Sequence, residues 1–273
     1  MENKQIIQPD EVKIILIRLL EYFDTVCKKN NIQYSLGYGT LLGAARHGGF
    51  IPWDDDIDVM LPEPDYKRLL ELPELRQQDA QFQLHTIATE KHFCEIYPYP
   101  FAKLVDEKTY GEYMRTKDKF GAYIDIFPVV GVPDDTKKRE QFFREFEKNK
   151  LSLAIGYRID RDRKNTFIQK LRNIRRNYYW RHYQVFREKL VENMFMYSFE
   201  GSKMVNVSYW NFGEREVFPK ELFSEYISLP FEGKMYPCIK RYDDYLTQMY
   251  GDWHKLPPES SRTPRHEYLL FYR

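Results

Sequence analysis

The residues with the clearest capacity for chemistry lie in "HGGFIPWDDDIDVML", 47–61, where Asp54, Asp55, Asp56 and Asp58 set four carboxylates into five positions. On composition alone, a hydrated acidic turn is the commonest fate of such a run. The apolar residues that follow argue for more. If "IDVML" is a strand, successive side chains point to opposite faces, so Asp56 and Asp58 share one face while Ile57, Val59 and Leu61 enter the core on the other. Two carboxylates held together in this way repel one another unless a cation joins them. Oxygen donors on a rigid strand end, with positions left for water and phosphate, suit Mg2+ or Mn2+. Asp54 keeps the same parity and is a further candidate ligand, although Pro52 and Trp53 can bend the chain there, and Asp55 is expected to point away. A calcium loop starting at Asp54 fails on its own terms. Its sixth position holds Val59 where glycine is required, and Pro62 and Pro64 break the loop and the exiting helix.

The preceding "GYGTLLGAARHGGF" adds features that suit an anion. Gly39 allows close backbone approach to a ligand, Thr40 is placed to cap a short helix "LLGAAR", and the start of that helix offers free N–H groups. A plain tight turn at Gly37 and Gly39 is the competing reading. Arg46 and His47 follow the helix. The guanidinium fork of Arg46 matches phosphate oxygens, whereas His47 is read as a surface or hydrogen-bonding histidine, since none of the six histidines has metal-ligand spacing. Trp53 is read as packing under the acidic strand rather than stacking on a base.

The elements that must position these residues are legible in outline. Val12, Ile15, Leu16, Leu19, Phe23 and Val26 recur at helical spacing behind Pro9 and Asp10, and "KKNN" ends the pattern. Strands are expected at "IQYSL", "IDVML", "FQLHTI" (82–87), "FAKLV" (101–105) and "AYIDIF" (122–127), the last ended by Pro128, with a helix at "PDYKRLLEL". From about Asp135 the pattern turns helical and polar. The final third reads as loops around a short helix near Asp243–Met249. The pattern gives an α/β (α+β) chain: a 1–30 N-terminal helix packed on the core, a 31–258 main domain and a 259–273 C-terminal tail.

With 273 residues, 42% of them apolar, the chain can bury a large core without staples. A formal net charge of +1 points to no nucleic acid partner. Cys27, Cys94 and Cys238 form no CxxC pair and suit a reducing compartment. The N-terminus lacks a signal-peptide pattern and "IILIRLL" is too short to span a bilayer, so the expected location is cytoplasmic, including the inner face of the membrane. Charge is unevenly spread. Between Arg158 and Lys189 eleven Lys/Arg face three Asp/Glu, a local net of +8 that leaves about −7 for the rest. Aromatics interleave with these cations, and Phe167, Leu171, Ile174 and Tyr178 keep helical spacing, which makes 157–189 a candidate for peripheral membrane contact. The bland expectation is a helix with its basic face in water and its aromatics in the core.

"YSLGYGTLLGAARHGGFIPWDDDID" resembles the signature of the LicD family, relatives of fukutin within the nucleotidyltransferase superfamily. "AYIDIFPVVGVP" is similar to that family's second motif and "FAKLVD" to the segment between, while "LPFEGKMYPC" and "YGDWHKLPP" resemble its C-terminal part. The resemblance implies a nucleotidyltransferase-like mixed sheet flanked by helices and a phosphotransferase of phosphocholine-transferase type. Such an enzyme moves phosphocholine or a polyol phosphate from a CDP-linked donor to a hydroxyl of a glycan, lipid-linked glycan or teichoic acid precursor. It further implies Asp56, Asp58 and Asp125 as catalytic and metal-binding residues, with Asp54 as an added ligand, holding Mg2+ or Mn2+. Gly39, Thr40, Arg46 and Lys103 would then meet the donor phosphates. Lys103 also shares a strand face with Phe101 and Val105, and an edge-strand solubility lysine is its alternative. After "KLPP" the chain continues "ESSRTPRH" where relatives carry an acidic-lysine-arginine run, so no role passes to Arg262 or Arg265. Two other functions remain open on the residues: nucleotidyl transfer releasing pyrophosphate, and a binding module that grips a polyanion or membrane through 157–189.

Overall fold

The computed structural model of the chain describes residues 5–77, 80–87, 99–113, 119–157, 167–207, 212–263 and 268–273. Cys94, Arg265 and the 158–166 part of the basic segment lie outside them. In chain order the first elements are α1 (Pro9–Lys29), β1 (Ser35–Leu36), α2 (Tyr38–His47), β2 (Asp58–Pro62), α3 (Glu63–Leu70), β3 (Phe82–His85), β4 (Ala102–Asp106), β5 (Thr109–Tyr113) and β6 (Tyr123–Val132). Then come α4 (Thr136–Tyr157), α5 (Phe167–Arg181), α6 (Tyr183–Met194), β7 (Met204–Asn206), β8 (Val217–Pro219), β9 (Tyr226–Phe231), β10 (Lys234–Ile239), α7 (Tyr242–Tyr250) and β11 (Tyr268–Tyr272).

The central sheet runs β1-β2-β6-β4-β3, with β7 and β8 extending from the far half of β6. It is mixed, as expected for the α/β class: β2 and β6 are parallel and the other pairs antiparallel. Ile124 and Ile126 of β6 enter the core shared with α1, α2 and α3, while Tyr123, Val130 and Val132 enter a second core with residues of α4 and α6. α1 begins where its chemistry predicts. Pro9 stands in its first turn, the Gln8 N–H donates to Glu11 Oε2 at 3.0 Å, and Leu16, Leu19, Leu20 and Phe23 are buried.

Two expectations about the elements are corrected. Pro128 does not end β6, which continues to Val132. The Asp125 N–H donates to Ile57 O on the β2 side, so by alternation the imide of Pro128 faces the β4 side, where pairing has already stopped at Ile126. The final third is not loops around one helix. β9 and β10 form a hairpin closed by Glu232 and Gly233, both at positive φ, the geometry of a two-residue primed turn. At the C-terminal end β11 pairs with β5, buries Leu270 and Phe271, and meets the N-terminal segment where Ile7 N–H donates to Leu270 O at 2.9 Å.

Candidate active site

The site is assembled by strand register. Asp58 at the start of β2 is the Cα partner of Asp125 on β6, and Asp125 is the partner of Lys103 on β4, so three charged residues stand in one row across three adjacent strands. All three are buried. The row continues to His85 on β3, whose Nε2 lies 2.8 Å from Glu107 Oε1. Lys103 forms an ion pair with Asp125 and is only 4% exposed, which removes the edge-strand reading of that lysine. Its ammonium sits 3.5 Å from the ring centroid of Tyr123 and 5.1 Å from those of Tyr99 and Phe101. Such rings attract a cation through their negative faces and so help hold the Lys103 ammonium in place.

Asp54, Asp55 and Asp56 lie on the loop that enters β2, each with a carboxylate oxygen within 4.8 Å of the others'. The strand begins only at Asp58, so alternation does not reach back to 54–56, and Asp55 joins the group instead of pointing away. Burial comes first, then the carboxylates of Asp56, Asp125 and Asp54, in pushing the Asp58 carboxyl well above its ordinary range, while Lys103 pulls it partway back. A buried carboxylate crowded by three others, beside a group of oxygen donors, fits a hard divalent cation.

α2 supports the acidic loop from below. Thr40 does not cap this helix, which starts at Tyr38 with Gly37 in the cap position. Its hydroxyl, one turn in and buried, accepts the Asp58 N–H at 2.8 Å and so fixes the first residue of β2. Gly39 meets Asp54: a Cβ there would stand 2.6 Å from Asp54 Oδ2. The free N–H end of α2 therefore faces a carboxylate of the chain itself, an arrangement the helix dipole favours. Tyr38 carries a positive φ of 41°, unusual for a bulky side chain, and is held there by its hydroxyl, which donates to buried Glu216 at 2.6 Å, and by edge contact with Phe127.

Arg46 makes its hydrogen bonds within the chain. Its Nη1 donates to Trp253 O at 2.7 Å and Lys255 O at 3.3 Å, and its Nε donates to His47 Nε2 at 3.0 Å. It thus ties α2 to the segment after α7, about 10 Å along the helix axis from Gly39. Burial and the Arg46 charge lower the His47 pKa, which fits the acceptor role of its ring. Trp53 packs against the main core and receives the Arg262 guanidinium at 5.6 Å from its ring. The β9–β10 turn secures the loop ahead of the acids, with Glu232 Oε1 accepting the Phe50 N–H at 2.9 Å.

Sequence reasoning missed Glu216, Asp55 and the rings around Lys103. The rings carried a usable signal, since Phe101 and Tyr123 each stand two positions before Lys103 and Asp125, on the same strand faces. Glu216 carried none, being brought to Tyr38 by chain remote in sequence.

Comparison with known proteins places this geometry in context. Residues 31–153 match the family described as LicD/FKTN/FKRP, nucleotidyltransferase domain, a span that includes Asp54–Asp58, Lys103 and Asp125. The chain is 30% identical over 263 residues to the lipopolysaccharide cholinephosphotransferase LicD of Haemophilus influenzae, covering 94% of this chain and 95% of that protein. It is also 43% identical over 63 residues to the uncharacterised protein RP689 of Rickettsia prowazekii, 23% of this chain and 24% of that one.

Proposed function

The chain belongs to the LicD family of transferases, and from that premise we propose that it moves phosphocholine from a CDP-linked donor to a hydroxyl of a lipopolysaccharide-type glycan. The observation that carries this reading is the buried row Asp58, Asp125 and Lys103 beside the Asp54–Asp56 group. That is an acidic centre with one fixed cation at its border, suited to a substrate rich in phosphate charge.

In the proposed reaction the acceptor oxygen bonds to the choline-bearing phosphorus, the bond from that phosphorus to the bridging oxygen breaks, and CMP departs with the bond's electron pair. Asp56 and Asp58, with Asp54 or Asp55, would hold Mg2+ or Mn2+, which supplies charge neutralisation on the pyrophosphate and orients it. Asp125 binds the acceptor hydroxyl and takes its proton as the new bond forms. Lys103 positions that carboxylate through one N–H and has further N–H groups to offer a phosphate oxygen. Thr40 holds Asp58 in register, and Gly39 leaves room for Asp54 at the rim. Burial of the row excludes water, which limits hydrolysis of the donor and strengthens each charge interaction.

The test is a panel of CDP-linked donors, choline first and polyols after, incubated with the enzyme, Mg2+ and a lipopolysaccharide acceptor. CMP release is expected with CDP-choline, with phosphocholine found on the glycan. Release of free phosphocholine, with CMP joined to the acceptor, would replace this reading with nucleotidyl transfer.

A further inference from the structure

Helix α5 is built inside out. At about 100° per residue, Phe167, Leu171, Ile174 and Tyr178 fall within a sector of about 60° on its surface. These four are 75%, 51%, 66% and 54% exposed, and Ile168 beside them is exposed too. α5 buries no residue fully. Its opposite side, where Gln169, Asn173, Arg176 and Trp180 are half-buried, faces α4, whose Gly156 lets the Trp180 backbone approach so closely that a Cβ would stand 3.2 Å from its nitrogen. Gln169, Asn173 and Arg176 thus face the protein beside Trp180 while the four-residue apolar stripe faces outward, unlike a helix that serves only the core.

The apolar stripe is flanked by charge of one sign. Lys170 and Arg181 border one side, Arg172 and Arg175 the other, and α5 carries no Asp or Glu. A second copy of the same face would set two all-basic rims against each other, so self-association is disfavoured by charge. An anionic lipid surface complements both features, taking the apolar residues at the acyl boundary and the cations among headgroup phosphates. Among the described residues no helix is long and apolar enough to cross a membrane, so α5 would lie on the surface. It also lies beyond the 31–153 span that matches the family.

We propose that α5 is a membrane-docking helix that lays Phe167, Leu171, Ile174 and Tyr178 into the interface of an anionic bilayer, with Lys170, Arg172, Arg175 and Arg181 engaging its phosphates. Docking there would hold the enzyme at the surface where lipid-borne acceptors reside, and it does not depend on which donor the site uses.

The experiment is co-sedimentation of the full chain with phosphatidylcholine vesicles and with vesicles containing phosphatidylglycerol, at low and high salt. Binding is expected only to the phosphatidylglycerol vesicles and weakens with salt. The doubles L171S/I174S and R172E/R175E, both at exposed positions, each reduce it at least about tenfold, while circular dichroism shows the fold retained. Failure of the wild-type chain to bind these vesicles, or unchanged binding by both variants, overturns the proposal. So does a dimer at working concentration that L171S/I174S abolishes, since the stripe would then be covered by a second copy.

Discussion

Asp58 is the residue on which burial, charge and backbone position converge. Its folded-state proton affinity exceeds that of an ordinary carboxyl, so the folded chain binds the extra proton at pH values where the unfolded chain has lost it. The resulting stabilisation is full at low pH and is lost as pH rises through the raised folded value. Asp58→Asn, which cannot ionise, is therefore expected to raise the metal-free melting temperature at neutral pH and flatten its pH dependence, measured by thermal unfolding in chelator across pH. The same variant should lose the stabilisation that Mg2+ gives the wild-type chain, because a ligand stabilises only the state it binds. At Gly39 the prediction is steric. Gly39→Ala puts a Cβ 2.6 Å from Asp54 Oδ2, so the carboxylate must move, and the Mg2+ concentration for half-maximal CMP release is expected to rise on the order of tenfold. Asp56 and Asp58 were singled out by strand parity and Asp125 by motif resemblance, and the register sets Asp58 beside Asp125. Asp55 was misjudged because parity holds only where a ladder exists, and the ladder starts at Asp58.

Among the elements, the three-strand row makes a prediction that one residue alone does not. Lys103 and Asp125 are buried partners on β4 and β6, so Lys103→Met leaves an uncompensated carboxylate and should cost about 3–5 kcal/mol of stability. Adding Asp125→Asn should restore much of that loss without restoring turnover, which denaturant unfolding of the single and double variants would measure. The helix-to-strand contact gives a smaller effect: Thr40→Val removes the acceptor of the Asp58 N–H and is expected to cost about 1–3 kcal/mol. Elements with strong periodicity, such as α1 with its buried Leu16, Leu19 and Phe23, were readable because propensity and burial agree. β6 was cut short at Pro128 because sequence does not show which edge of a strand has a neighbour. The β9–β10 hairpin was overlooked because its turn is Glu232-Gly233, where only the second residue announces positive φ.

For the whole molecule, the two ends of the chain meet on the same layer. β11 pairs with β5 and joins the N-terminal segment through Ile7, so removing residues 264–273 strips a strand and exposes Leu270's neighbours. A lowered melting temperature is expected for that truncation, with Mg2+-dependent activity retained at temperatures where it stays folded, since the acidic row lies on other strands. The α5 stripe was visible in sequence as a helical pattern, but the sequence favoured burying it. Which side of an amphipathic helix meets the protein is decided by the element it packs on, here α4, and no local signal records that choice. The central claim joins the acidic row to phosphocholine transfer, and its most direct test is product analysis with CDP-choline and lipopolysaccharide acceptor. The wild-type chain with Mg2+ should give CMP and phosphocholine-bearing glycan in equal amounts, and chelator or Asp58→Asn in a folded protein should reduce both to background. Near-normal turnover by Asp58→Asn, or turnover that survives chelation, would contradict the account.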